Sequence, residues 1–228
     1  QRNSTWRENI GPSFANLSHY PAVPFAQQEV TVSVSVDDPQ GVAEVTLFHA
    51  TDGMPLAALP MNDLGHGRYA ATIGGYPEGT TVQFYVQALD ERGAISLFPS
   101  LGPESRALFT INQSETAATR AHDVRIIMTQ ADADRLHEPT STMSNYWSRG
   151  TVVYNENEVF YDVGVRLKGS GPGRNSDNRV GFKLKFDPLQ LFRGRHRIIG
   201  IDRGHPREIV AKHVLSHAGD IPVSYDDL

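Results

Sequence analysis

The chain has 228 residues, of which 39% are hydrophobic and 9% aromatic, and this composition can fill two hydrophobic cores of ordinary size. It has no cysteine, which excludes a disulfide framework and a thiolate metal site. No apolar run reaches the roughly 18 residues of a membrane-spanning helix, and because the first residue is Gln1 we expect a processed chain or a piece of a longer protein.

The net charge of −5 is unevenly distributed along the chain. Residues 1–118 hold 5 Arg and no Lys against 12 acidic residues, whereas residues 119–228 hold 16 basic against 14 acidic residues. Within the second part, residues 166–212 carry 12 basic and 4 acidic residues. Such a segment would attract phosphates, polyanionic glycans or acidic protein surfaces, and a solvated basic face of a sheet explains it equally well.

After an irregular leader, expected over residues 1–20, the pattern predicts an all-β sandwich over residues 21–112. Val30, Val32, Val34 and Val36 alternate with polar residues, and this period of two is typical of a half-buried antiparallel strand. Similar alternating runs occupy residues 42–49, 67–73, 81–89 and 107–111, with glycine-containing turns between them. Residues 81–93 resemble the late strand and turn of bacterial immunoglobulin-like and fibronectin type III-like modules.

Residues 113–121 are small and polar and predict a linker, and residues 122–228 predict an α+β domain with a mainly antiparallel sheet. Thr129 can cap a short helix from 130 to about 137, and Pro206 suits the first turn of a helix over 207–217. The predicted strands are 123–128, 150–154, 158–168, 180–186 and 196–201.

A glycine-rich turn separates the two alternating strands at 158–168 and 180–186. Residues 169–173 lack the glycine spacing and the following Lys-Ser or Lys-Thr of a Walker A loop. A dinucleotide-binding fingerprint is also excluded, because a strand rather than a helix follows the turn. The remaining alternatives are an ordinary hairpin turn and the glycine-rich lid that kinase-type folds place over the phosphates of ATP.

The order of five short segments resembles the N-terminal portion of the CotH family, the spore-coat-protein-H-like atypical protein kinases of bacteria. The segments are residues 163–171, 182–187, 191–198, 207–215 and 219–223. The resemblance covers residues 120–228 and implies a kinase-like N-lobe, truncated at its C-terminus, behind the immunoglobulin-like module. It implies that the full-length parent, secreted or associated with the cell envelope, transfers phosphate from ATP with Mg²⁺ to protein hydroxyls. The fragment would be catalytically incomplete, without catalytic or metal-binding residues of its own, because these belong to the second lobe.

Within this resemblance, nine residues are candidates for nucleotide binding. Lys183 and Lys185 share one face of their strand, where they contact phosphate or simply face solvent. The glycines let backbone N–H groups approach phosphate oxygens, and a carboxylate on the last helix can pair with a strand lysine or act as an ordinary first-turn acid. The nine candidates are Arg166, Lys168, Gly169, Gly171, Gly173, Arg174, Lys183, Lys185 and Glu208.

The rival hypothesis is a noncatalytic surface module, in which the sandwich and the basic domain bind an anionic glycan or a protein partner. The uneven charge motivates it, and we expect no nucleic-acid partner. His213 and His217 stand four apart, as zinc ligands on helices do, but no glutamate follows the first histidine as a metalloprotease requires. No Gly-x-Ser-x-Gly motif supports a hydrolase.

Overall fold

The computed structural model describes residues 9–112, 122–138, 143–169, 174, 180–201 and 206–218. The described chain is mainly β, with antiparallel sheets and few helical residues. Contacts divide it into unit 1, Gln1–Glu115, and unit 2, Thr116–Leu228. The division falls within the segment predicted as a linker, 113–121, which lies outside the described residues. No helix in the described ranges is long and apolar enough to cross a membrane.

Unit 1 contains two antiparallel sheets. Its strands are β1 (Ser13–Tyr20), β2 (Val30–Asp37), β3 (Val42–Thr51), β4 (Ala57–Pro60), β5 (Asn62–Asp63), β6 (Arg68–Ile73), β7 (Thr81–Asp90), β8 (Ile95–Phe98) and β9 (Ala107–Thr110), with a 3-10 helix at Gly102–Glu104. One sheet has the order β1-β2-β6-β5. The other has the order β4-β3-β7-β8, and β9 pairs with β7.

The core of unit 1 follows from the period of two that the sequence shows. The valines at positions 30, 32, 34 and 36 of β2 are all buried, as predicted. The two sheets meet at His19 of β1, whose ring centroid lies 5.8 Å from that of Phe84 and 5.3 Å from that of Phe109. Phe14 of β1 also stacks on Phe98 of β8 at 5.5 Å. A histidine therefore sits among aromatic rings where the sheets contact each other.

Strand β1 differs from the irregular leader expected over residues 1–20. Its pairing with β2 shifts register between Ala15 and Ser18, and Asn16 adopts a positive φ of 54°. Such a bulge interrupts the alternation of apolar and polar residues, so the strand leaves no period of two in the sequence. Residues 1–8 lie outside the described part of the chain.

Unit 2 contains a five-stranded antiparallel sheet whose strand order follows the chain. Its elements are β10 (Val124–Ile127), α1 (Gln130–His137), β11 (Ser148–Tyr154), β12 (Glu158–Lys168), β13 (Gly181–Lys185), β14 (Ile198–Ile201) and α2 (Pro206–Ala218). Thr129 is the N-cap of α1, and its hydroxyl accepts the N–H of Asp132 at 3.2 Å, as the sequence predicts. Asn155 and Glu156 both have positive φ in the tight turn between β11 and β12.

One face of this sheet forms the core of unit 2. Val163, Val165 and Leu167 of β12 are buried, and Leu184 of β13 is fully buried beside them. Helix α1 contributes Leu136 to the same apolar cluster. Because successive side chains of a strand point to opposite faces, the residues between these must lie on the other face.

Candidate functional site

The face of the unit 2 sheet opposite the core carries the basic residues of β12 and β13. Arg166 lies directly across from Lys183, and Gly164 lies across from Lys185 on β13 and from Arg149 on β11. Lys168 lies on the same side of β12 as Arg166, two residues further along the strand. We call this surface, defined by Arg149, Arg166, Lys168, Lys183 and Lys185, the basic face. The predicted sharing of a face within each strand is confirmed, and the register between the strands brings all five residues together.

Positive charges placed opposite each other on neighbouring strands repel, so the basic face has an electrostatic cost of its own. Arg125 of β10, which is not one of these five residues, forms an ion pair with Glu156 at 2.7 Å. In contrast, no carboxylate of the described residues lies within ion-pair distance of Arg149, Lys183 or Lys185. Among the described residues, the charge of these three side chains is therefore not offset by an ion pair.

An aromatic side chain lies on the basic face as well. Trp147 precedes β11 and packs over Gly164, so that a Cβ atom added to Gly164 would lie only 3.2 Å from Cε3 of the indole. The Arg166 guanidinium carbon is 4.5 Å from the indole centroid, and Lys185 Nζ is 5.8 Å from it. Both distances fall within the range of cation–π contacts. Gly164 thus leaves the space that the indole ring fills.

The close approach at Gly164 leads to a testable prediction. Gly164→Val should displace the indole of Trp147, shift its fluorescence to longer wavelength and destabilise unit 2 by about 1–3 kcal/mol, the usual cost of overpacking. The measurement uses a Trp6→Phe background, which leaves Trp147 as the sole tryptophan.

Gly200→Val is the matched control for this substitution. A Cβ atom at Gly200 would make only ordinary contacts of 3.7 Å or more, with the side chain of Lys168. The emission spectrum of Gly200→Val in the Trp6→Phe background should equal that of the Trp6→Phe protein. An unchanged spectrum in Gly164→Val would contradict the packing of Trp147 on the sheet.

The remaining candidate residues lie at or beyond the end of β12. Gly169 follows the strand with a positive φ of 103°. Arg174 is buried, and its guanidinium donates to the carbonyl oxygens of Gly169 at 2.8 Å and Ser144 at 3.1 Å. Gly171 and Gly173 lie outside the described residues. Arg174 thus ties the end of β12 to the segment before β11, and its contact with phosphate stays a prediction.

Helix α2 carries the other side chains considered from the sequence. Glu208 belongs to this helix, but its side chain lies outside the description, so its pairing with a strand lysine stays a prediction. The ring centroids of His213 and His217 are 4.1 Å apart. Among the described residues, no group of three or more His, Cys, Asp or Glu side chains is placed to hold a metal ion.

Sequence reasoning missed Trp147, because it precedes β11 and belongs to no alternating pattern. The signal that points to it is Gly164. A glycine inside a strand otherwise made of β-forming residues often marks the close approach of another group. The sequence shows such a glycine between Val163 and Val165, but it does not show which side chain approaches.

No protein-family model and no curated protein matches the chain. Among solved structures, the Br derivative of BhCBM56 is similar with 12% identity and a TM-score of 0.27, covering 37% of this chain and 79% of that chain. An uncharacterized protein from Listeria monocytogenes EGD-e, in complex with α-D-glucose, β-D-glucose, magnesium and calcium, is similar with 9% identity and a TM-score of 0.34. That match covers 77% of this chain and 14% of the Listeria chain. Both similarities are too distant to assign a family.

Proposed function

We propose that this protein is a noncatalytic surface module whose basic face binds an anionic glycan. The observation that carries the proposal is the array of five cations on three adjacent strands with an indole ring among them. Neighbouring strands are about 4.8 Å apart and alternate residues about 6.8 Å apart along a strand. The cations therefore repeat at a spacing of several ångströms along one side of the sheet, which suits the repeated charges of a polymer.

The indole adds a second kind of contact to the charges. Trp147 is half-buried, and its indole ring lies beside Arg166 and Lys185. Tryptophan suits sites at which a ligand is apolar on one side and polar on the other, because its ring is apolar and its N–H is a donor. A sugar ring with a pendant carboxylate or sulfate has this character. The basic face thus combines a platform for the ring with cations for the charge.

The direct test is a titration of the full chain with polygalacturonate, dextran sulfate and neutral dextran. We expect both acidic polymers to bind and dextran not to bind. The affinity should fall as salt rises from 50 to 200 mM, because salt screens exposed charges. Saturating ATP with Mg²⁺ should not displace the polymer. Equal binding of neutral dextran, or binding that is independent of salt, would contradict the proposal.

A second candidate function is the nucleotide site of a CotH-like N-lobe, whose full-length parent would use ATP and Mg²⁺. It is favoured by the position of Lys168, Lys183 and Lys185 on the two strands that lead into and out of the glycine-rich turn. If it is correct, ATP with Mg²⁺ should raise the melting temperature of the chain, because a ligand that binds only the folded state stabilises it. Lys183→Ala or Lys185→Ala should abolish that shift. The absence of any ATP-dependent shift would exclude this candidate.

For unit 1 we infer an immunoglobulin-like sandwich that accompanies unit 2 in a secreted or envelope-associated protein. Two antiparallel sheets in contact through buried aromatic residues support the sandwich. A surface location would also place the basic face where it can meet extracellular glycans. Fractionation of the source cells tests the location, and recovery of the protein in the cytosolic fraction alone would contradict it.

A further inference from the structure

Helix α2 carries two histidines one helical turn apart. The ring centroids of His213 and His217 are 4.1 Å apart, and both side chains are exposed. Residues at positions i and i+4 are neighbours on the surface of a helix, and histidines at this spacing can bind one metal ion together. The helix therefore presents two imidazole ligands side by side to solvent.

The ring of His217 is held in an orientation that suits a metal ligand. Its Nδ1 lies 2.8 Å from the carbonyl oxygen of His213 and 3.1 Å from Oγ of Ser216. A carbonyl oxygen only accepts hydrogen bonds, so Nδ1 of His217 is the donor and carries the proton of the neutral ring. The lone pair that binds a metal is then on Nε2, on the other side of the ring. Metal-bound histidines usually have their second ring nitrogen anchored in this way.

Two imidazoles are too few ligands for a structural zinc site. Such a site has four protein ligands in a tetrahedral arrangement. Among the residues that the structure describes, no group of three or more His, Cys, Asp or Glu side chains is placed to hold a metal ion, so no third ligand joins the pair. The described part of one chain thus supplies half of a zinc site, and a second molecule can supply the other half.

The same face of α2 carries exposed apolar side chains. Val210 is 59% exposed and Val214 is 54% exposed, although valine is among the residues that proteins most often bury. Positions 210, 213, 214 and 217 follow the i, i+3, i+4, i+7 spacing of one helix face. We call this surface, defined by Val210, His213, Val214 and His217, the α2 face. A partner that covers it would bury the valines and contact the histidines at the same time.

We propose that the α2 face is the contact surface of a zinc-bridged homodimer, in which two copies of the chain bind one Zn²⁺ through four histidines. A second copy fits because it carries the same pair of imidazoles, and a two-fold axis through the ion makes the two halves of the site equivalent. The inference does not depend on the proposed function.

An antiparallel arrangement of the two helices satisfies both parts of the α2 face. The row of i, i+4 residues is inclined to the helix axis, so the histidine pairs of two antiparallel helices cross, as the ligands of a tetrahedral ion do. The two-fold axis then lies across the helices and places the valines of both copies on the same side of the ion. There they pack against each other and lose their contact with water.

The test measures the mass of the full chain by sedimentation, first with EDTA and then with increasing ZnCl₂. Zinc should double the mass, and calorimetric titration should give one Zn²⁺ per two chains. His213→Asn should abolish the zinc-dependent dimer, because it removes two of the four ligands at once. Its melting temperature in EDTA should stay close to that of the unmodified chain, since residue 213 is exposed.

His66→Asn is the matched control, because it also removes an exposed histidine, but from unit 1. This variant should dimerise with zinc as the unmodified chain does. Val214→Lys tests the apolar part of the α2 face. It should weaken the zinc-bound dimer about tenfold or more, because a charge replaces apolar side chains that are buried in both copies.

Three results would overturn the proposal. They are a mass that zinc leaves unchanged, a zinc-dependent dimer that His213→Asn retains, and one Zn²⁺ bound per monomer. The last result would show that the ion takes its ligands from a single chain. An unchanged dimer affinity in Val214→Lys would contradict the contact between the two α2 faces.

Discussion

Changing both Lys183 and Lys185 to glutamate is expected to weaken the binding of acidic polysaccharide about a hundredfold, or about 2.7 kcal/mol. Both lysines lie on the basic face, and no carboxylate within the described ranges pairs with either of them. The exchange removes two charge-assisted contacts and introduces repulsion along the β13 side of the array. Titration with polygalacturonate at 50 mM salt measures the loss. The salt dependence of the residual binding should also be shallower.

The matched control for this double variant is Arg68→Glu with Arg92→Glu. Both arginines are exposed in unit 1, and their exchange changes the net charge of the chain by the same amount. If the basic face is the binding surface, this control should retain nearly all of the affinity. Equal losses in the two double variants would show that net charge alone attracts the polymer and would contradict a defined site.

The strands of the basic face could be predicted, and the array itself could not. Burial of one face imposes a period of two on 163–168, which places Arg166 and Lys168 on the same side from sequence alone. The register that puts Arg166 opposite Lys183 depends on how β12 and β13 pair across the turn. The alternation of apolar and polar residues within a strand does not determine which residues of two strands pair. The sequence therefore predicts basic residues on one side of each strand and leaves their grouping open.

A cavity of about 320 Å³ in unit 2 could not be predicted from the sequence for a related reason. Its residues come from α1, from the segment before β11 and from β12, which are well separated along the chain. Ser148 looks like any polar residue at the start of a strand until its burial is known. The prediction of helix α1 succeeded because its N-cap is local: Thr129 caps its own helix through Asp132 three residues later. A capping pattern can be recognised in a sequence because its residues are neighbours, whereas the burial of a polar group without a hydrogen-bond partner cannot.

Lowering the pH from 7 to 4 is expected to destabilise unit 1 by about 3 kcal/mol through His19. This side chain is only 4% exposed and packs against the rings of Phe84 and Phe109. Burial lowers the pKa of His19 from 6.5 to about 4, although the carbonyl of Ala22, 3.1 Å from Nε2, partly offsets this by favouring the protonated ring.

The sign of the effect follows from which state binds the proton. Between pH 6.5 and 4 the unfolded chain protonates this histidine while the folded chain does not, so protons favour unfolding in this window. The contribution to stability is complete above about pH 6.5, falls as the pH decreases, and changes no further below about pH 4. The free energy of unfolding, obtained from amide hydrogen exchange in β2 at several pH values, measures this contribution.

His19→Gln should remove most of this pH dependence, because glutamine does not titrate. His66→Asn, at an exposed position with a positive φ that asparagine tolerates, should keep it. A His19→Gln variant with the full pH dependence of the unmodified chain would show that His19 is not the buried neutral group that holds the two sheets together.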